Sequence, residues 1–181
     1  MARGLILVAR HPRPRIAGRI CYGRTDVPLA EPPGPAATAL IEAAGDAWIA
    51  RILSSPSSRA LLVAQEVARQ TRLPLQTDDR LQEMDFGAWE GHPWASLPRA
   101  EIDAWAADPL HYRPGGGESV EDVLRRVRRA WHGIASAEET TLVITHAGPI
   151  RCLLHIGRGV PILDAIQAGI AYGSVTRFEG G

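Results

Sequence analysis

The chain has 181 residues, of which 45% are hydrophobic, and its formal net charge at pH 7 is zero. This length suits one domain, residues 1–181, with a sizeable core, and the composition argues against disorder. A chain without net charge lacks the positive field with which proteins bind nucleic acid or anionic membranes, so we expect neither as a partner. No apolar stretch reaches the roughly 18 residues of a membrane span, and the N-terminus has no secretory signal pattern.

Cysteine and histidine usage bears on metals and on the cellular compartment. Cys21 and Cys152 are the only two cysteines, and their separation gives no disulfide framework. The six histidines show no metal-ligand spacing, so we expect no metal and no other cofactor. These observations favour a reduced, cytoplasmic protein. All basic residues are arginine and asparagine is absent, which closes off any mechanism that requires an asparagine.

Apolar runs that end in polar residues occur three times along the chain. Residues 5–8 predict a short buried strand, and Arg10 and His11 follow it. Residues 48–53 predict a second strand, which leads through a serine-rich turn to Arg59. Residues 141–145 predict a third strand, and His146 comes directly after it. Shorter strands are predicted at 73–77 and 172–179.

Helical patterns separate these strands. Spacing and capping residues predict helices at 35–44, 57–70, 120–134 and 147–154, and Ser119 with Asp122 resembles a capping box before the third. Aromatic residues and prolines at 94–112 predict a small helical excursion that spans about residues 92–116. Strands that alternate with helices predict an α/β three-layer sandwich, with a mainly parallel central sheet and helices on both faces.

Two charged segments invite interpretation. Residues 81–91 hold Glu83, Asp85 and Glu90 among apolar side chains. Apolar neighbours desolvate a carboxyl group, which suits a general acid, and Glu83 is the best placed of the three. The second segment is an arginine cluster in the predicted helix 120–134, which we interpret as a solvated helix face: Arg125, Arg126, Arg128 and Arg129.

The strand ends predict a site for a phosphoryl group. Ligands of open α/β sheets bind outside the carboxyl ends of the strands, where His11 and His146 are expected. The guanidinium groups of Arg10 and Arg59 match phosphate oxygens bidentately. One imidazole can attack phosphorus, and the second, if protonated, can neutralise the charge that develops on the transferring group.

These motifs, in this order, resemble the histidine phosphatase superfamily, which has the phosphoglycerate mutase-like fold. The resemblance rests on five pieces that span most of the chain: Arg10-His11, Ser54-Ser55-Pro56 with Arg59-Ala60, Glu83 with Gly87 and Glu90-Gly91, Gly117-Glu118-Ser119, and Thr145-His146 with Gly148 and Ile150-Arg151. It implies that His11 is phosphorylated, that Arg10, Arg59 and His146 bind the phosphate, and that Glu83 donates and accepts the proton. We interpret Glu90 and Glu118 as structural.

The loop at residues 18–29 is similar to that of α-ribazole phosphatase-like members, which act late in cobalamin assembly. This similarity implies a small phosphorylated metabolite as the partner, with α-ribazole phosphate as one candidate. It also implies a substrate loop that contains Arg19, Tyr22, Gly23 and Arg24. The oligomeric state stays open between a monomer and a homodimer.

The sequence departs from the family pattern at two points. Pro12 stands where the family usually has glycine after the nucleophilic histidine, and proline removes one backbone N–H from the site. The family's loop asparagine is also missing. Its candidate replacements are Arg13, Arg15, Arg19 and Arg24.

Three other functions remain open at this point. The chain could carry out mutase-type phosphoryl transfer, or it could be a non-catalytic phosphate-binding module on the same fold. Cys152 and Arg158 also match the Cys-x5-Arg pattern of cysteine-dependent phosphatases. That pattern needs a loop with free backbone N–H groups, whereas the bulky residues between Cys152 and Arg158 predict a continuing helix.

Overall fold

A five-stranded sheet forms the centre of the computed structural model, which describes residues 4–16 and 18–180. Its strands are β1 (Leu5–Arg10), β2 (Ile49–Ser54), β3 (Leu75–Thr77), β4 (Thr140–Thr145) and β5 (Val175–Glu179). The order across the sheet is β3-β2-β4-β1-β5. β1 and β4 are therefore adjacent, and their parallel register pairs Arg10 with Thr145. Only β5 runs antiparallel, against β1.

Helices cover both faces of this sheet. The α-helices are α1 (Pro33–Ala44), α2 (Ser58–Thr71), α3 (Arg99–Ala107), α4 (Val120–Ala135), α5 (Ala147–Arg158) and α6 (Ile162–Ala165). α1 packs with α2, and α4 packs with α5. Within the described residues, no helix combines the length and the apolarity that crossing a bilayer requires.

The alternation of side chains along β1 explains the three layers. Ile6 and Val8 point into a core shared with α4 and α5, whereas Leu7 and Ala9 point into a second core shared with α1 and α2. Successive strand residues face opposite sides of a sheet, so an entirely apolar strand needs a helical layer on each side. The predicted three-layer sandwich with a mainly parallel sheet is confirmed.

The helical excursion is also present. It consists of α3 and of short 3-10 turns at Trp94–Ser96 and Pro114–Gly116. Phe86, Trp89, Trp94 and Trp105 pack there with ring centroids 5.7 to 6.5 Å apart. This aromatic cluster joins the excursion to the segment that carries Glu83.

Some predicted boundaries differ from the observed ones for identifiable reasons. α1 begins two residues earlier than predicted, because Pro33 as well as Pro35 fits the first turn of a helix. α5 continues beyond residue 154 until Gly159 adopts a left-handed conformation and ends it. The last strand begins at Val175 rather than at residue 172. The capping box of Ser119 and Asp122 forms as predicted.

Candidate active site

Two histidines lie side by side at the carboxyl ends of the central strands. Because β1 and β4 are paired through Arg10 and Thr145, the next residues, His11 and His146, are neighbours. The backbone N–H of His11 donates to the Thr145 carbonyl at 2.9 Å, and the two imidazole centroids are 5.0 Å apart. Both side chains are buried.

The hydrogen bond of His11 selects one reactive nitrogen. Its Nδ1 lies 2.6 Å from the Pro12 carbonyl oxygen, which can only accept, so Nδ1 carries the proton and Nε2 keeps its lone pair. Burial, with a further contribution from the cations Arg59 and Arg10, lowers the pKa of His11 from 6.5 to about 3. His11 is therefore neutral near pH 7, which is the form that can act as a nucleophile. Pro12 removes a donor from the site but keeps this acceptor.

His146 is oriented by a serine from the neighbouring strand. Ser55 follows β2, and its Oγ lies 2.7 Å from His146 Nε2. Burial, together with Arg59 and His11, holds the pKa of His146 well below its usual value. Burial beside cations therefore disfavours the protonated form of His146 that the sequence analysis considered for charge neutralisation.

The same serine indicates which nitrogen of His146 carries the proton. The backbone N–H of Ser57 donates to Ser55 Oγ at 3.4 Å, which leaves the Ser55 hydroxyl hydrogen free. Its contact with His146 at 2.7 Å is shorter than its 3.4 Å alternative to Ser57 Oγ, so we assign the Ser55 hydroxyl as the donor to Nε2. The proton of neutral His146 then lies on Nδ1.

Arg59 is fully buried at the start of α2. It donates from Nη2 to the Gly23 carbonyl at 2.6 Å and from Nη1 to the Thr25 carbonyl at 3.0 Å. A cation in the first turn opposes the helix dipole, and Asp26 offsets this by accepting from the backbone N–H and the hydroxyl of Ser58. Arg59 therefore occupies an electrostatically unfavourable position, and hydrogen bonds with the loop before α1 stabilise it there.

Arg10 is held by the chain that leads into β5. Its Nη1 donates to the Ile170 carbonyl, and its guanidinium carbon lies 3.7 Å from the ring centroid of Tyr172. The Tyr172 ring also lies 5.6 Å from that of His11, and its hydroxyl is 2.9 Å from that of Tyr22. Burial raises the pKa of the Tyr22 hydroxyl, so Tyr22 adds no negative charge near pH 7.

Three polar atoms around His11 are buried and lack a hydrogen-bond partner among the described residues: Arg10 Nε, Arg59 Nε and His146 Nδ1. A buried donor without a partner is unfavourable, so each of these atoms calls for an acceptor that the neighbouring side chains do not supply. Two cations and two neutral imidazoles lie together here, and the Glu83 carboxylate is close to Arg59. The arrangement suits an anion with several oxygen acceptors.

Glu83 lies beside this cluster and caps α5. Its Oε1 accepts from the Gly148 N–H and from the Met84 N–H, both at 3.0 Å. Gly148 allows this approach, since a Cβ at that position would overlap Glu83 Oε1. The Glu83 carboxylate therefore lies at the first turn of α5, next to Gly148, which is two residues after His146.

Arg126 holds the segment that carries Glu83. Its guanidinium donates to the carbonyls of Arg80, Gln82 and Glu83 and forms two hydrogen bonds with Glu118. The interpretation of the arginine cluster as a solvated face is therefore wrong for this member. Thr145 adds a bond from its hydroxyl to the Leu81 carbonyl at 2.6 Å, which ties the end of β4 to the same segment.

The four residues of the predicted substrate loop lie in different places. Tyr22 is at the site, and the buried Gly23 gives its carbonyl to Arg59 at φ +31°, where a Cβ would overlap Glu90. Arg24 instead forms an ion pair with Glu118 at 3.0 Å, which draws its side chain into the support of the Glu83 segment. Arg19 is exposed, and its carbonyl accepts from the Trp94 N–H.

Neither a cysteine nucleophile nor a metal centre is formed by the described residues. Cys152 and Arg158 both lie on α5, where the backbone N–H groups are used within the helix. Burial raises the pKa of the Cys152 thiol to about 12, so it is not a reactive thiolate. No group of three or more His, Cys, Asp or Glu side chains in the described part of the chain is arranged to hold a metal ion.

Sequence reasoning did not identify Ser55, Tyr172 and Arg126. Ser55 was part of the matched serine turn, and its position after a strand adjacent to β4 was the signal for its contact with His146. Tyr172 would have been found by predicting that the last strand runs antiparallel to β1, which brings the residues before it to His11. No pattern in the sequence distinguishes Arg126 from its neighbours.

The chain is similar in sequence to known proteins. The bifunctional protein Rv2228c of Mycobacterium tuberculosis is 39% identical over 137 residues, covering 72% of this chain. The chain spans only 37% of the length of that relative. A probable phosphoglycerate mutase GpmB of Proteus mirabilis is 30% identical over 170 residues, which cover 91% of this chain and 78% of that protein.

Solved structures share the fold closely. A mycobacterial glucosyl-3-phosphoglycerate phosphatase aligns with a TM-score of 0.83 and 27% identity, over 98% of this chain and 90% of its own. The α-ribazole phosphatase of Shigella flexneri aligns with a TM-score of 0.83 over 96% and 89% of the two chains; at 24% identity this likeness shows the fold alone. The sequence profile of the histidine phosphatase superfamily (branch 1) matches residues 6–181. The chain therefore belongs to the histidine phosphatase superfamily.

Proposed function

We propose that the chain hydrolyses phosphomonoesters through a phosphohistidine on His11. The observation that carries this proposal is the set of three buried, unpartnered polar atoms around a neutral imidazole. A phosphoryl group supplies acceptor oxygens for all three, and its phosphorus would face the free Nε2 of His11. Generic anion binding would not require a nucleophile with its lone pair held toward the same point.

The first step transfers the phosphoryl group to the enzyme. Nε2 of His11 attacks phosphorus, and the bond from phosphorus to the ester oxygen breaks. Arg10, Arg59 and the Nδ1–H of His146 bind the phosphoryl oxygens, where negative charge is spread in the transition state. Glu83, in its protonated form, gives its proton to the departing alcohol oxygen.

The second step returns the enzyme to its starting state. Glu83, now a carboxylate, accepts a proton from a water molecule as the water oxygen attacks phosphorus. The N–P bond breaks, the electron pair returns to His11 Nε2, and inorganic phosphate leaves. No step requires a metal, so activity should survive treatment with a chelator.

The test uses p-nitrophenyl phosphate with the wild-type chain and with His11→Ala. We expect turnover by the wild type only, and an acid-labile phosphoenzyme in a rapid quench. Cys152→Ser is the matched control and should keep its activity, since that thiol is buried and protonated. No turnover above the His11→Ala level at any pH from about 5 to 8 would leave a phosphate-binding module instead. A label trapped on Cys152 would contradict the assignment of His11.

For the physiological substrate we propose a small phosphorylated metabolite of the α-ribazole phosphate type, in a reducing cytoplasm that suits two free buried cysteines. The similarity of residues 18–29 to α-ribazole phosphatase-like members supports this choice. Mutase-type transfer is the second candidate, because of the relative named as a probable phosphoglycerate mutase. Incubation with α-ribazole phosphate and with 3-phosphoglycerate separates the two: the phosphatase releases phosphate, and the mutase converts 3-phosphoglycerate into its isomer without release.

A further inference from the structure

An apolar cavity of about 520 Å³ opens on one side of Glu83. Its walls come from the Glu83 segment, α3, α4, α5 and α6, and its apolar lining includes Met84, Phe86, Trp105, Pro109, Val123 and Leu163. This volume lies within the range of roughly 300 to 1,000 Å³ that is typical of small-molecule sites. Neither histidine and neither phosphate-binding arginine lines it.

The position of the cavity relates it to the leaving group. Glu83 and Gly148 both line it, and they are joined by the hydrogen bond that places the Glu83 carboxylate. A proton that Glu83 delivers must go to the ester oxygen, so the rest of the alcohol lies on the far side of that oxygen from phosphorus. The cavity is a space beside Glu83 that is available to the alcohol.

One cation breaks the apolar lining. Arg151 lies on α5 one turn after Gly148 and is half-buried at the cavity wall. Its Nε donates to the Ala168 carbonyl at 3.0 Å, and within the described residues it forms no ion pair. Its remaining N–H groups are therefore available to an acceptor on a molecule in the cavity.

We propose that the cavity binds the leaving alcohol, and that this alcohol is bulky, largely apolar and equipped with a hydrogen-bond acceptor for Arg151. This inference rests on the proposed function and specifies its substrate class. A small polar alcohol such as glycerate leaves most of the apolar wall uncovered and gains nothing from it. Among the substrates considered above, the nucleotide-like α-ribazole phosphate fits this description and 3-phosphoglycerate does not.

The test compares three primary alkyl phosphates, which have leaving groups of similar acidity. They are the ester of 2-(2-naphthyl)ethanol, its 6-carboxy derivative and glycerol 3-phosphate. We expect kcat/KM to rise by about tenfold or more from glycerol 3-phosphate to the naphthyl ester, because the ring system is removed from water. The carboxylate should raise kcat/KM further.

Two variants assign these effects to residues. Ala106→Trp narrows the cavity and should lower kcat/KM for both naphthyl esters far more than for glycerol 3-phosphate, whose small alcohol covers little of the wall; Ala104→Trp, exposed on the same helix outside the cavity, is the matched control. Arg151→Gln should remove only the advantage of the carboxylate. An equal loss on all three esters would mean that Arg151 acts through Glu83 and would overturn its proposed contact.

The outcomes distinguish this inference from the proposed function. Hydrolysis of all three esters at equal rates would overturn the inference and leave the phosphatase intact. If no ester is hydrolysed above the His11→Ala level, the proposed function fails. Binding of the carboxylated alcohol itself, followed by calorimetry, needs no chemistry and then decides the cavity: binding that Ala106→Trp abolishes supports it, and absence of binding to the wild type overturns it.

Discussion

The nucleophilic state of His11 depends on a carbonyl oxygen rather than on a side chain. The Pro12 carbonyl accepts from Nδ1 at 2.6 Å, and every residue type supplies a carbonyl at that position. Proline therefore deprives the site of one N–H and leaves the tautomer of His11 unchanged. A proline at position 12 is therefore compatible with the Nδ1-protonated form of His11.

Pro12→Gly should accordingly retain turnover of p-nitrophenyl phosphate close to that of the wild type. Its free energy of unfolding should fall by about 0.4–1 kcal/mol, because glycine gives the unfolded chain more conformations to lose. Urea denaturation and steady-state kinetics measure the two effects separately. A large loss of turnover in a folded protein would show that the pyrrolidine ring itself shapes the site.

A second prediction for a single residue concerns the hydrogen bond between Ser55 and His146. Ser55→Ala removes the donor to His146 Nε2, so the ring loses the bond that fixes its tautomer, and kcat/KM should fall by about two- to tenfold. The ¹⁵N shifts of His146 should move from the Nδ1-protonated pattern toward a mixture of tautomers. Ser57→Ala, whose hydroxyl makes only a 3.4 Å contact, is the control. Unchanged ¹⁵N shifts in Ser55→Ala would contradict the assigned donor.

At the scale of elements, the first turn of α5 fixes the position of Glu83. Gly148→Ala should improve the intrinsic helix propensity of this turn, but the new Cβ displaces the Glu83 carboxylate. We expect a loss of about 10² to 10⁴-fold in kcat for alkyl phosphates, whose leaving oxygen needs a proton. The loss should be much smaller for p-nitrophenyl phosphate, which has a good leaving group.

Gly133→Ala is the matched control for that substitution. Gly133 is an exposed glycine in α4 with no atom close to the position of a Cβ. The change should raise the free energy of unfolding by about 0.5–1 kcal/mol and leave both activities unaltered. Equal losses of Gly148→Ala on alkyl and nitrophenyl esters would remove Glu83 from the role of proton donor.

The strands show that sequence patterns predict which residues are buried but do not predict the direction of a strand in the sheet. The apolar runs at residues 5–9 of β1 and 142–144 of β4 predict the buried parts of these strands, and the histidines stand just beyond the strand ends. The direction of β5 does not follow from its own residues, because a strand reads alike in both directions and only its partner decides. Tyr172 was overlooked for this reason.

The sequence also does not predict which arginine of α4 makes partly buried contacts. Arg125, Arg126 and Arg128 lie within one turn of α4 and are of the same residue type, and periodicity alone places them near the solvent. Arg126 differs because the segment from Arg80 to Glu83 passes over its side of the helix and offers carbonyl oxygens. That crossing is a tertiary contact between parts of the chain about 44 residues apart, which local patterns do not encode.

At the scale of the whole molecule, the two buried histidines make stability depend on pH. Unfolded His11 binds a proton near its ordinary pKa of 6.5, whereas the folded chain does so only near about 3. Between these values the unfolded state holds more protons, so stability falls as the pH is lowered through this window. Each such histidine contributes a slope of up to about 1.4 kcal/mol per pH unit.

We therefore expect the urea midpoint to fall between about pH 7 and pH 5, the part of this window nearest the ordinary pKa of histidine. His11→Gln should show a shallower dependence over the same range, because one of the two histidines no longer titrates in the unfolded state. His132→Gln, which replaces an exposed histidine, should follow the wild type. Identical slopes for wild type and His11→Gln would mean that His11 is protonated in the folded chain.

The proposed catalytic residues lie on parts of the chain that differ in local stability. His11 and His146 extend from adjacent central strands, whereas Glu83 lies on a stretch that is neither strand nor helix and depends on side chains such as Arg126. Regions without ladder hydrogen bonds open at lower free energy than core strands. Mild denaturant should thus release Glu83, the proposed proton donor, before His11, the proposed nucleophile. On the proposed mechanism, we expect activity on alkyl esters to be lost at a lower denaturant concentration than activity on nitrophenyl esters.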